Sequence, residues 1–197
     1  MADICENETI TLNGTVQFND GYLWETNGSG TFTGTNSLTP DYTPSAADVA
    51  LGSVKFTLKA FADGACSIDA VVTQTLTIGS QAIVEAGPNA TTDEITICEG
   101  ESYNLNGASF LAGENPVWTI ISGSPGTIDI TNIQNPTFTP TATDISNGSV
   151  ILRLSVDSLD PCSTVVSDDI TINITSLPVV NAGEDATICA RTYTHNG

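Results

Sequence analysis

Apolar and polar residues alternate along several stretches of the chain, which is the pattern of half-buried β-strands. VKFTLKA (residues 54–60) and VILRLSV (residues 150–156) alternate over a whole strand length. TQTLTI (73–78) and DITINI (169–174) do the same, and no ten-residue stretch shows a helical apolar stripe. Successive side chains of a strand point to opposite faces, so each stretch predicts one buried face. The pattern therefore predicts an all-β protein.

The chain repeats itself at an offset of 93 to 96 residues. Three pairs of stretches show the repeat: ICENETITLNG (4–14) and ICEGESYNLNG (97–107), PDYTPSAADVALGSVKFTL (40–58) and PTFTPTATDISNGSVILRL (136–154), and EAGPNAT (85–91) and NAGEDAT (181–187). Self-similarity at a fixed period indicates tandem structural units. The apolar positions recur while the polar ones between them change, so the repeat carries a folding pattern.

We predict three segments from this repeat. Residues 1–84 form a first unit that lacks its first strand segment, residues 85–180 form a second unit, and residues 181–197 begin a truncated third unit. A chain that ends just after the start of a repeat is expected to be a piece of a longer array. About seven short strands per unit, separated by Gly and Pro turns, predict tandem immunoglobulin-like β-sandwiches.

Two residue types recur at structural positions within each unit. Trp24 and Trp118 occur where such a sandwich places its central core tryptophan, and we predict that both are buried. Asp48 and Asp144 each precede a turn that is closed by glycine. An Asp there can accept hydrogen bonds from backbone N–H groups two or three residues further on, so we predict turn caps rather than catalytic acids.

The strongly acidic composition argues against binding to nucleic acid or to an anionic membrane surface. The chain has 23 acidic and 4 basic residues and a formal net charge of −19, which leaves no basic patch for nucleic acid or an anionic membrane surface. No apolar run approaches the roughly 20 residues that span a bilayer. His195 is the only histidine, so a Ser-His-Asp or Cys-His site is not expected, and nothing in the sequence predicts an enzyme.

Five cysteines occur in the chain, one near the start of each repeat and one late in each complete unit. We predict disulfides Cys5–Cys66 and Cys98–Cys162, with Cys189 unpaired by truncation, because their separations are similar at 61 and 64 residues. The rival pattern is Cys66–Cys98 and Cys162–Cys189, with Cys5 free. Either pattern indicates an oxidising, extracytoplasmic setting.

Calcium is the one cofactor that the sequence suggests. Asp157 and Asp160 belong to a hairpin loop of unit two, at the end of that unit where the chain arrives from unit one. Glu85 and Asp93 lie in the connector between the units. Carboxylate oxygens are the ligands that calcium prefers. The alternative is a solvated acidic loop without a bound ion.

Several of these motifs together resemble a known family. ICEG, the Trp strand, PTFTPTATDISNGSVILRL and VVNAGEDATIC are similar to PKD-like, immunoglobulin-like repeats of large bacterial cell-surface adhesins. The resemblance implies an extracellular location on a bacterial surface, export by type IX secretion, a link to gliding motility in some members, and neighbouring repeats of the same polypeptide as partners. It implies no catalytic residues, since the family has no catalytic motif.

Three functions follow as hypotheses. The first is a stalk or spacer segment of a surface adhesin or filament. The second is a carbohydrate-binding module that recognises surface glycans, for which Tyr22 and Tyr42 are the candidate aromatic residues. The third is self-assembly, in which residues 179–197 of one copy supply the strand that the first unit of another copy lacks.

Overall fold

The computed structural model describes residues 3–64, 67–88, 93–122 and 126–184. The predicted all-β class is confirmed. The first unit contains β1 (Ile4–Cys5), β2 (Ile10–Thr11), β3 (Asn19–Thr26), β4 (Thr31–Thr33), β5 (Asp41–Thr43), α1 (Ala46–Leu51), β6 (Ser53–Ala62) and β7 (Ala70–Gly79). The second contains β8 (Ile83–Glu85), β9 (Glu94–Cys98), β10 (Tyr103–Asn104), β11 (Ser109–Leu111), β12 (Gly113–Ser122), β13 (Thr127–Ile128), β14 (Thr137–Thr139), α2 (Ala142–Asn147), β15 (Ser149–Ser158) and β16 (Val165–Thr175).

Each unit is built on a four-stranded sheet and a three-stranded sheet. The orders are β1-β7-β6-β3 and β2-β5-β4 in the first unit, and β12-β15-β16-β9 and β10-β14-β13 in the second. The alternating stretches 54–60 and 150–156 lie in the central strands β6 and β15, where one face is buried. The second unit has an additional two-stranded sheet, β11-β8.

Each unit has its own hydrophobic core. Trp24 packs with Tyr42, Phe56 and Leu58 in the first core, and Trp118 lies in the second, so both tryptophans are buried. Ala82, Val84 and Ala86 belong to the second core. The predicted boundary between residues 84 and 85 therefore falls inside β8, a strand that packs on the second unit.

Two short helices occur where the sequence predicted only turns. Each has six residues, too few to show a helical apolar stripe. Ser45 caps α1 and Thr141 caps α2 in reciprocal capping boxes with Asp48 and Asp144. Within each box, the backbone N–H that donates to the Asp lies three residues before it, so the prediction of a donor two or three residues after the Asp is wrong. Gly52 ends α1 at φ 71°, which is a left-handed conformation that favours glycine.

The additional sheet marks the main difference between the units. β8 pairs antiparallel with β11, with Val84 opposite Phe110. Counted from the equivalent strand pairs Asn19–Ala62 and Gly113–Ser158, the corresponding residues of the first unit are 15–17. They pair with no strand within the described ranges.

Candidate functional site: the junction between the units

A disulfide crosses from the first unit to the second. Cys5 is bonded to Cys162, and their Cα atoms are 4.6 Å apart. The predicted pairs Cys5–Cys66 and Cys98–Cys162 are therefore wrong, and so is the rival pair Cys162–Cys189. Cys66 and Cys189 themselves lie outside the described residues.

Strand geometry explains why the predicted pairing fails. Cys5 lies beside Gly79 at the end of β7, where the chain leaves the first unit. β7 begins at Ala70, at the opposite end of this ten-residue strand, and Cys66 precedes Ala70 by four positions in the sequence. A strand of that length spans roughly 33 Å. The loop of Cys162 lies next to the exit from the first unit, and so it reaches Cys5 instead.

The turn that carries Cys5 is fixed by hydrogen bonds on both sides. The Glu6 N–H donates to the Gly79 carbonyl at 2.8 Å, and the Cys5 N–H donates to the Glu8 carboxylate at 2.9 Å. The Glu6 carboxylate also accepts the N–H of Gln81 at 3.1 Å. These contacts tie the start of the chain to the linker that enters the second unit, so the Cys5 thiol has a set position.

The second unit meets this turn with its β15–β16 loop. A Cβ atom added to Gly79 would lie 2.5 Å from the Cδ of Pro161, so the junction needs glycine at this point. The buried N–H of Ala82 donates to the Ser158 hydroxyl at 3.0 Å. The linker is thus held against the loop both by packing and by a hydrogen bond, beside the disulfide.

Three carboxylates come together near the same junction. Ligand atoms of Glu85, Asp93 and Asp168 all lie within 4.8 Å of one another. Asp168 accepts the Ala86 N–H at 2.8 Å, whereas the buried Oδ1 of Asp93 has no hydrogen-bond partner among the described residues. Burial raises the pKa of Asp93, and the nearby charge of Asp168 raises it further.

This group differs from the predicted calcium ligands. Asp157 accepts a hydrogen bond from the Asn115 amide and Asp160 accepts one from Ser163, and the group does not include either. Asp168 was not among the residues predicted from the sequence, although its position in β16 has the same parity as the inward residues Ile170 and Ile172. Calcium takes six to eight oxygens, and three carboxylates supply only part of that set. Calcium binding therefore stays a prediction, and Asp168 replaces Asp157 and Asp160 in it.

The buried Asp48 holds the first unit's helix against its neighbours. Its carboxylate accepts the Tyr42 hydroxyl at 2.7 Å and the N–H groups of Ser45 and Ser29 at 2.9 Å each. Burial alone would raise the pKa of Asp48, but the hydrogen bonds outweigh it and hold that pKa well below its usual range. Burial and the Asp48 carboxylate together raise the pKa of Tyr42 to about 12. The function of this network is structural.

The tyrosines proposed for carbohydrate binding do not form an exposed platform. Tyr42 is fully buried in the first core. Tyr22 is half-buried, and its hydroxyl donates to the Asn36 carbonyl at 2.8 Å. The expectation that Tyr42 is available to a glycan is therefore wrong.

Comparison with known proteins shows the immunoglobulin-like β-sandwich fold. The Protocadherin GammaB4 extracellular domain matches with a TM-score of 0.52 and 13% identity, covering 89% of this chain and 33% of that one. Protocadherin Gamma B2 extracellular cadherin domains 3–6 match with a TM-score of 0.52 and 12% identity, covering 90% and 50%. The chain thus spans a third to a half of these structures, and at such identities the likeness concerns the fold alone.

Neither sequence-based comparison adds a family. No family model matches the chain, and no curated protein matches its sequence. Within the ranges that the structure describes, no helix has the length and apolar character needed to cross a membrane.

Proposed function

We propose that this chain is a spacer segment of an extracellular bacterial adhesin or filament, which holds a binding tip away from the cell surface. In this role the repeated units stack in series and supply length, and no catalytic activity is part of it. The tandem repeat, the adhesin-like motifs and the acidic composition support the proposal. Type IX secretion and a contribution to gliding motility belong to the same proposal.

The Cys5–Cys162 disulfide is the observation that carries the proposal. A bond inside a unit would stabilise that unit alone. A bond between units restricts how one unit can swing relative to the next, in addition to the backbone connection. Gly79 and Pro161 pack beside it, so the same joint resists bending by steric contact.

Self-assembly is the second function that a specific observation favours. The first unit has no strand paired with residues 15–17 in the described structure, and the tail of the chain repeats the sequence of β8. The carbohydrate-binding hypothesis has no such support, because Tyr42 is buried.

Small-angle X-ray scattering of the monomer tests the spacer proposal. The Cys5→Ser variant should show a broader distribution of end-to-end distances than the wild-type chain, because the junction is no longer cross-linked. Cys98→Ser is the matched control, since Cys98 forms no disulfide with a described residue, and its scattering should equal that of the wild type. Equal scattering for all three proteins would show that the disulfide does not set the junction, and the proposal would lose its main support.

A further inference from the structure

The first unit has an open groove where the second unit is covered by β8. The inward face of β7 is uncovered there: Val72 is 62% exposed and Gln74 is also exposed. Ile170 occupies the position of Gln74 in the second unit and is fully buried. The difference arises because β8 contacts β16 and β15, whereas β7 has no equivalent cover in the described structure.

The groove has the shape and chemistry to receive a strand. It consists of two adjoining depressions of about 200 and 370 Å³ between residues 13–17 and strands β6 and β7. Val16, Leu58 and Val72 line it with apolar surface. Trp24 forms part of the wall, and its buried Nε1 has no hydrogen-bond partner within the described part of the chain.

The tail of the same chain carries a segment that matches the strand missing from this groove. VVNAG (179–183) repeats IVEAG (83–87), which contains β8. Val84 is 8% exposed in the second core and Ile83 is 60% exposed on the outer face. Their counterparts Val180 and Val179 are 92% and 95% exposed. An apolar pair in a β8-like sequence is thus left uncovered.

We propose that residues 179–183 of one copy add as a strand to residues 15–17 of a second copy and join the chains head to tail. Copying the register of β8 and β11 places Val180 opposite Val16, with Val180 directed into the groove and Val179 directed outward. The joint then reproduces the junction that the chain forms between its own units. This inference rests on the proposed stacking of units in series.

At the edge of the joint, the two residues that would correspond to a hydrogen-bonded pair of the internal junction have both lost their polar groups. In the internal junction Ala82 donates its N–H to the Ser158 hydroxyl. Pro178 replaces Ala82 in the tail and has no N–H, and Ala62 replaces Ser158 in the first unit and has no hydroxyl. The donor and the acceptor are therefore both missing from the same pair, and no buried polar group is left unpaired there.

The steric contact at the internal junction is exchanged in the same way. Gly79 leaves room for Pro161 in that junction. In sequence, the counterpart of Gly79 is the larger Thr175, and the counterpart of Pro161 is the smaller Ala65, which lies outside the described residues. One interaction is not reproduced, because Val72 stands where Asp168 accepts the Ala86 N–H. We therefore expect the joint between copies to be weaker than the internal one.

The turn around Cys98 repeats the turn around Cys5 bond by bond. The Glu99 N–H donates to the Thr175 carbonyl at 2.9 Å, and the Cys98 N–H donates to the Glu101 carboxylate at 2.9 Å. The Glu99 carboxylate accepts the N–H of Leu177 at 3.2 Å, as Glu6 accepts that of Gln81. Cys98 is exposed and unbonded among the described residues, so its thiol is held ready for the partner that Cys5 already has.

In a joint that repeats the internal junction, Cys98 of one copy bonds to the residue of the next copy that corresponds in sequence to Cys162. In this chain the sequence counterpart of Cys162 is Cys66, which lies outside the described residues. With oxidised glutathione as the oxidant, the Cys98 thiolate forms a mixed disulfide and releases one glutathione, and the Cys66 thiolate then displaces the second. The two thiols lose two protons and two electrons, and glutathione disulfide is reduced to two glutathione molecules.

Sedimentation of the full chain over about 1 µM to 1 mM measures the non-covalent joint. The wild-type protein should associate with rising concentration. Val180→Asp should raise the dissociation constant about tenfold or more, because it directs a charge into the apolar groove. Val179→Asp is the matched control, since Val179 is as exposed in the monomer and faces outward in the joint, and it should change association little.

Either of two results would overturn this strand register. One is a wild-type chain that stays monomeric over the whole range, and the other is equal weakening by the two variants. Both variants change residues that are more than nine-tenths exposed, so neither outcome can come from unfolding. The chain could fail to associate while the scattering of its monomer still shows the narrow distance distribution of two cross-linked units. In that case the head-to-tail joint is wrong and the spacer proposal stands.

Disulfide trapping tests the same joint independently. In a Cys189→Ser background, Cys66→Ser and Cys98→Ser proteins each keep one of the two cysteines. After oxidation with glutathione disulfide, each alone should stay monomeric, and an equal mixture should form covalent dimers that contain a Cys98–Cys66 linkage. Dimers of either protein alone, or no dimers in the mixture, would overturn the proposed joint.

Discussion

Replacing Asp48 with asparagine tests how strongly one buried carboxylate holds the first unit. The side chain is 1% exposed and accepts hydrogen bonds from Tyr42, Ser45 and Ser29. Asparagine keeps one acceptor oxygen and turns an amide N–H₂ toward donors. A hydrogen bond to a charged group contributes about 1.5–3 kcal/mol. Losing at least two of these bonds should lower the unfolding free energy of this unit by roughly 3–4 kcal/mol.

The second unit supplies a matched comparison. Asp144 accepts from the N–H and hydroxyl of Thr141, but Phe138 stands where the first unit has Tyr42, and so one donor is missing. Asp144→Asn therefore removes fewer interactions, and we expect it to cost about 1–2 kcal/mol.

Hydrogen exchange followed by mass spectrometry resolves the two units separately. Every 1.4 kcal/mol is a factor of ten, so peptides from β6 and β7 should exchange roughly 100 to 700 times faster in Asp48→Asn. Peptides from β15 and β16 should be unchanged in that variant and about tenfold faster in Asp144→Asn. Equal acceleration by the two substitutions, or less than about tenfold for Asp48→Asn, would refute the assigned function of the carboxylate.

Three further predictions follow from named contacts. Tyr42→Phe should cost about 1–2 kcal/mol in urea unfolding, and a cost near zero would show that the Tyr42–Asp48 bond contributes little. The pKa of Asp48 is lowered in the folded state, so its contribution is present above about pH 4 and is lost as the pH falls further; wild-type Tm should drop there more steeply than that of Asp48→Asn. The pKa of Asp93 is raised in the folded state, so its charged form destabilises the fold at pH 7 and Asp93→Asn should raise Tm there. Millimolar calcium should raise the Tm of the wild type but not of this variant. A lower Tm for Asp93→Asn, or equal calcium shifts in the two proteins, would contradict this reading of the acidic group.

The strands and the core could be predicted from the sequence because both depend on local alternation and on the repeat. Trp24 and Trp118 recur at one position in each unit, and burial of one implies burial of the other. The six-residue helices escaped prediction because two turns are too short for a helical period. Their capping residues, Ser45 and Thr141 followed three residues later by Asp, were the available signal.

The junction could not be predicted because it depends on which ends of the strands meet. The separations of 61 and 64 residues made Cys5–Cys66 look regular. However, Cys5 lies beside the last residue of β7, whereas Cys66 comes before the first residue of β7 in the sequence. The parallel pairing of β1 with β7 decides this, and no sequence period reports it. Asp168 was missed for a related reason, since its approach to Glu85 depends on how β8 lies over β16.

Peptide mapping of the unreduced full chain shows directly whether a disulfide links the two units. We expect a cross-linked species that joins the peptide containing Cys5 to the peptide containing Cys162, in the monomer and at every protein concentration. The matched Cys5→Ser protein should lose this species. A linkage of Cys5 to Cys66 would confine the disulfide to the first unit, and it would contradict a spacer whose units are locked together in series.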